Sequence, residues 1–308
     1  MRKESLKFDS RDGSSKIYAV KWIPEEEPKA ILQITHGMAE YIDRYENFAN
    51  YLAEHGFLVV GDDHLGHGRT ASMNESPFGY IAPKHGDVVL VRDEHRLKKT
   101  IQAEYPSLPY FVLGHSMGSF IIRNYMYRYG TGINGAIVMG TGMQPKAMVN
   151  ASKVMAGINR ILGDKHVANF LNAVAFGAYN KKIPNPPTQS AWLTRDVGIQ
   201  EKFVNDPYCG FVFTVNGFRV LLSLIANLHK EENVSKMPKD LPVLITSGEM
   251  DPVGNYGKDP KLVYDSYIKM GMNDVTLKLY PDDRHEILNE LDKEQVFADI
   301  LAWLEAHL

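Results

Sequence analysis

Short, almost unbroken apolar runs at residues 30–34, 57–60, 110–113, 135–139, 242–245 and 275–279 alternate with amphipathic stretches at 45–55, 88–104, 119–129, 261–270 and 293–308. A strand covered on both faces has no side to leave polar, so it reads as a continuous apolar run, and the amphipathic segments between runs supply the cover. This order predicts an α/β chain built on a doubly wound, mostly parallel sheet, with functional groups on loops at the carboxyl ends of the strands. Ahead of it, residues 6–9 and 16–23 alternate and turn at Asp12-Gly13, as a leading hairpin does.

The alternation stops between Met143 and Val234. Helical patterns at 154–162 and 167–178, a breaker-rich loop at 181–190 and an apolar stretch at 218–228 occupy that interval. The expectation is a mostly helical cap, residues 143–234, inserted into a core made of residues 1–142 and 235–308. A chain of 308 residues is long enough for both.

Composition narrows the function classes. With 44% hydrophobic and 23% charged residues and no long apolar run, no integral membrane segment is expected. Net charge is −3 with lysine and arginine scattered, which leaves no footprint for nucleic acid. The single cysteine, Cys209, rules out an internal disulfide, and residues 1–10 lack the apolar stretch of a secretory signal; both point to the cytoplasm.

Gly114-His115-Ser116-Met117-Gly118 follows an apolar run and opens an amphipathic stretch. This G-x-S-x-G pattern in a strand-to-helix setting is a nucleophile elbow, in which glycine two residues either side of the serine avoids a clash with neighbouring backbone. A serine hydroxyl needs a base, and the order serine, acid, histidine goes with such an elbow. Of the histidines beyond Ser116, His166 and His229 fall in the insertion and His307 at the end of the last helix; His285, between a strand-like run and that helix, is the expected base. Asp251, just after the run at 242–245, is placed to orient it, with Glu249 and Asp283 as rivals. Backbone amides of Met117 and of Met38, the latter after a bend at Gly37, are the expected oxyanion donors.

Asp62-Asp63-His64 with His67 resembles a ligand cluster, but no distant carboxylate or histidine pairs with it in sequence, and Gly61, Gly66 and Gly68 mark a folded loop. Neither a metal nor another cofactor is expected. Met143, Met148, Met155, Phe170 and Phe176 line a lipid channel or pack the cap, and their helical spacing favours packing.

These residues carry a resemblance to the monoacylglycerol lipase and lysophospholipase group of α/β-hydrolases, filed with the S33 serine aminopeptidases. Beyond GHSMG, it rests on HGMAEYIDRY from His36, DHLGHG from Asp63, the D-P-V turn at Asp251 and RHEILNE from Arg284. It implies an α/β-hydrolase fold, a triad of Ser116, Asp251 and His285, oxyanion roles for Met38 and Met117, and a structural DHLGHG loop. Glu40 and Arg44 match positions near the alcohol side of the pocket. Relatives carry glycine, glutamate and histidine where this chain has Ala39-Glu40-Tyr41.

The expected activity is hydrolysis of a small-molecule acyl ester, monoacylglycerol-like or otherwise of medium chain length, through an acyl-enzyme. A proline-iminopeptidase-like aminopeptidase would need a cap carboxylate, such as Asp196, Glu201 or Asp206, aimed at a substrate ammonium. A silent binding protein on the same fold is the third reading. Lipid-surface contact through the cap is left unassigned, since the net charge gives anionic membranes no attraction.

Overall fold

The computed structural model describes residues 1–308. Its sheet has eight strands: β1 (Arg2–Asp9), β2 (Lys16–Ile23), β3 (Ala30–Thr35), β4 (Phe57–Asp62), β5 (Tyr110–His115), β6 (Gly135–Met139), β7 (Val243–Gly248) and β8 (Val275–Tyr280). Their order is β1-β2-β4-β3-β5-β6-β7-β8. β1 and β2 join antiparallel, and every pair from β4 to β8 is parallel.

The apolar runs work as the sequence suggests. In β5, Tyr110 and Val112 enter one buried layer while Phe111 and Leu113 enter the other, and β6 repeats the pattern with Ala136 and Val138 against Ile137 and Met139. Helices Glu46–Glu54 and Lys293–Glu305 cover one face through Phe48, Leu52, Phe297 and Ile300. Helices Gly86–Glu104, Met117–Tyr129 and Lys258–Lys269 cover the other through Leu97, Ile121 and Val263. Burial of each such side chain contributes roughly 1.5–3 kcal/mol.

Between β6 and β7 lie helices Lys146–Asn159, Asn169–Phe176, Val197–Asn205, Val215–Asn227 and Glu231–Val234. The first begins well before the expected 154, and Val197–Asn205 has no counterpart in the sequence reading. Each buries little: Val149 and Ala156 in one, Gln200 and Phe203 in the other. No helix is long and apolar enough to cross a membrane.

Candidate active site

β5 delivers Ser116 to the edge of the sheet. The residue sits at φ 54°, ψ −119°, between the strand and helix Met117–Tyr129. Such backbone costs about 1–3 kcal/mol and persists only where the surroundings impose it. Here they do. A Cβ on Gly114 would stand 2.3 Å from the Gly118 carbonyl oxygen, and one on Gly118 would stand 2.0 Å from that of Thr35. The Ser116 amide donates to Met139 O at 3.0 Å, which ties the turn to β6.

His285 and Asp251 arrive on the loops after β8 and β7. His285 Nδ1 lies 2.9 Å from Asp251 Oδ2, and both residues are buried. The carboxylate is itself fixed, since Oδ1 accepts the Val253 amide at 2.8 Å and Oδ2 the Ser247 hydroxyl at 3.2 Å. A proton on Nδ1 leaves Nε2 with a free lone pair, as a general base requires. Trp192 and His115 pack on the imidazole, ring centres 5.1 and 4.7 Å away. Ser116 and His285 line one cavity. Their side chains are not hydrogen-bonded to one another.

The rivals lie elsewhere. Glu249 is exposed, and Asp283 pairs with Arg195, which also holds Glu290 and Asp292. Burial, then the neighbouring Asp292 and Glu290, push the Asp283 carboxyl up to about 8. His166 is exposed, His229 Nε2 bonds Gln144 O at 2.9 Å, and His307 Nε2 bonds Asp274 at 3.1 Å.

Met38 and Met117 both line the cavity beside Ser116. The Met117 amide opens a helix, so it has no intrahelical acceptor, and the Met38 amide makes no hydrogen bond. The bend before Met38 differs from the expectation in its cause. Positive φ falls on Ala39, at 55°, not on Gly37. Gly37 matters for close approach instead: its Cβ would lie 2.5 Å from Glu40 Oε1 and 3.1 Å from Ser116 Cβ.

Beneath this loop runs a buried polar network that the sequence did not reveal. Glu40 Oε1 accepts the Gly37 amide at 2.6 Å and the Tyr45 hydroxyl at 2.9 Å, with His115 Nδ1 at 3.2 Å. Arg44 Nη1 donates to Glu40 Oε2 at 2.6 Å. Glu40 thus lines the cavity with its oxygens already engaged by protein donors, and Arg44 lies behind it. Burial opposes the Glu40 charge, but the His115 hydrogen bond and then Arg44 hold its carboxyl well below the usual range. For His115 burial acts downward, and the Glu40 contact outweighs it and raises the imidazole above its ordinary value.

The cavity has a volume of about 550 Å³. Leu171, Phe176, Phe218, Leu221, Leu222 and Ile225, from the helices between β6 and β7, give the lining much of its apolar surface, beside polar residues such as Ser152, Asn172 and Asn180. Met148 and Met155 join them, Met143 packs on the core, and Phe170 is exposed. Glu40 and Glu286 are the acidic residues of the lining; Asp196, Glu201 and Asp206 are not in it. Asp196 caps helix Val197–Asn205, Glu201 is exposed, and Asp206 accepts the Tyr41 hydroxyl at 2.8 Å. Tyr41 therefore staples the Met38 loop to the insertion.

In the DHLGHG loop, Asp63 accepts the Ile42 amide at 2.9 Å and the Arg69 amide at 2.7 Å, which pins two loops together. Beside it the structure brings in a carboxylate that the sequence could not pair with Asp62 and His64: Glu94, from helix Gly86–Glu104. Burial pushes Asp62 and Glu94 up to about 8 each.

The chain is similar to known hydrolases over nearly its whole length. The family model Hydrolase_4, described as "Serine aminopeptidase, S33", matches residues 26–292. A thermostable carboxyl esterase from Bacillus coagulans, solved in complex with glycerol, superposes with a TM-score of 0.91 at 31% identity, covering 100% of this chain and 99% of that one. A monoacylglycerol lipase of Mycolicibacterium smegmatis is 26% identical over 96% of this chain and 95% of its own. Human monoglyceride lipase is 27% identical over 92% and 84% respectively. The chain belongs to the Hydrolase_4 family of S33-type α/β-hydrolases, and within it is a hydrolase similar to the monoacylglycerol lipases.

Proposed function

We propose that the chain hydrolyses carboxylic esters of medium-length acyl groups, monoacylglycerols among them, through an acyl-enzyme on Ser116. His285 takes the hydroxyl proton as Ser116 attacks the carbonyl carbon, and Asp251 stabilises the resulting imidazolium. The Met38 and Met117 amides receive the oxyanion, each worth roughly 3 kcal/mol in the transition state. His285 then protonates the leaving alcohol, and water repeats the sequence on the acyl group. The observation that carries this reading is the buried 2.9 Å contact between Asp251 and His285 on the rim of the cavity that Ser116 enters.

Residues 143–234 act as a cap over the core of residues 1–142 and 235–308. The apolar part of the lining suits a hydrocarbon tail, since each buried methylene contributes roughly 0.8 kcal/mol. The related esterase that binds glycerol supports an alcohol of that size. Glu40 and Arg44 shape the alcohol side by holding the loop in place. Hydrolysis of esters is favoured over removal of an N-terminal residue, because no cap carboxylate lines the cavity. Exposed Ile158, Ile161, Leu162 and Phe170, near Lys153, Arg160 and Lys165, support transient contact with a lipid surface.

An ester series varied independently in acyl length and alcohol, run beside aminoacyl amides, tests the substrate class. Medium-chain glycerol esters should lead, and preference for the amides would overturn it. Ser116→Ala should abolish both turnover and labelling by a fluorophosphonate. More than a trace of remaining turnover would remove Ser116 as nucleophile.

A further inference from the structure

Behind the Met38 loop, three buried side chains converge: Asp62 at the end of β4, His64 just after it, and Glu94 on helix Gly86–Glu104. His64 Nδ1 stands 3.4 Å from Asp62 Oδ1 and 3.3 Å from Glu94 Oε1. Both Asp62 oxygens and Glu94 Oε1 make no hydrogen bond, so neither contact has the alignment of an N–H donated to a carboxylate. Buried polar atoms are rarely left in that condition.

The surroundings fix the orientation of the group. Glu94 Oε2 accepts from Gln33 Nε2 at 2.5 Å and Thr35 Oγ1 at 2.8 Å, which leaves Oε1 for the cluster. His64 Nε2 donates to the His36 carbonyl at 3.2 Å, so Nδ1 presents a lone pair to the two carboxylates. Two ligand bonds of about 2.1 Å at a tetrahedral angle separate their donor atoms by about 3.4 Å, close to both contacts above. Magnesium and calcium prefer six or more oxygen ligands, whereas this cluster offers three side chains, one of them an imidazole.

We propose that Asp62, His64 and Glu94 bind a divalent cation of the zinc class through one donor atom each. Two carboxylates neutralise its charge. Gln33, Thr35 and the His36 carbonyl orient the ligands from outside, as outer partners do in metal sites. The His64 amide also donates to His36 Nε2 at 3.0 Å, so the cation braces the strand end from which the Met38 loop departs.

The test uses the full chain. Protein produced with zinc and washed with chelator should retain about one zinc per chain by elemental mass spectrometry, and refolding with zinc rather than with chelator should raise the melting temperature by several degrees. Glu94→Gln should lose both effects. Zinc-edge X-ray absorption should report nitrogen and oxygen ligands at about 2.0–2.2 Å, a readout that stands even if the variant does not fold. Retention below about a tenth of an equivalent, with melting unchanged by zinc, would overturn the site. So would a sulfur ligand, which would point to Cys209, or an Asp62→Asn variant more stable than the wild type, which would mean a proton shared between the carboxylates.

Discussion

Arg44 forks onto Glu286, with Nη1 and Nη2 at 2.7 and 2.6 Å from its two oxygens, while Nη1 also reaches Glu40. One guanidinium thereby joins the loop bearing Met38 to the residue next to His285. Arg44→Met would leave the buried Glu286 without its cationic partner and Glu40 with His115 alone, a strongly destabilising change. Expected is a fall of about 10–100-fold in kcat with KM nearly unchanged, and a lower melting temperature. Arg44→Lys should recover only part, because an ammonium cannot reproduce the fork. A loss confined to KM would mean that Arg44 touches substrate.

Asp251→Asn should lower kcat about 10⁴-fold, since an amide stabilises neither the imidazole tautomer nor its charge. Asp283→Asn, which alters the Arg195 cluster instead, should stay within about tenfold of wild type. Steady-state kinetics on a p-nitrophenyl ester compares them, and equal losses would undo the assignment of the acid.

Gly37→Ala tests the oxyanion loop through its backbone. The added methyl meets Glu40 Oε1 at 2.5 Å and Ser116 Cβ at 3.1 Å, so either Glu40 gives up the Gly37 amide or the loop shifts, and both loosen the anchor of the Met38 amide. Displacing one donor should cost about 10²–10³-fold in kcat. Activity close to wild type would show that the Met38 amide is not a donor.

The His115–Glu40 pair predicts a pH dependence of stability. His115 is raised above 6.5, so its contribution is complete below that pH and is lost as pH rises through the folded-state value. Glu40 is depressed below 4.5, so its contribution is complete above that pH and is lost only as pH falls through the folded-state value. Melting temperatures of wild type and His115→Asn, followed from about pH 6 to about pH 9, should show a shallower decline in the variant. Parallel curves would contradict the pairing.

The central strands were legible because burial on both faces leaves unbroken apolar runs, and β6 falls on the residues read from sequence. β1 begins earlier than its alternation suggested, since Arg2 to Ser5 form an exposed edge that needs no apolar face. Val197–Asn205 escaped notice because a helix that buries only Gln200 and Phe203 leaves little periodicity to read. Ser116, Asp251 and His285 could be proposed from the sequence because each follows a readable strand. Glu286, His115 and Glu94 could not: their partners are brought near only by the folded chain, and no local pattern marks them.

The segment between β6 and β7 leaves the sheet and returns to it without carrying Ser116, Asp251 or His285, which follow β5, β7 and β8. Its helices Lys146–Asn159 and Val215–Asn227 can therefore lengthen or vary while Ser116, Asp251 and His285 keep their places, provided that the stretch around Trp192, which packs on His285, is held. A lineage can rebuild what this protein admits without relearning how it cuts.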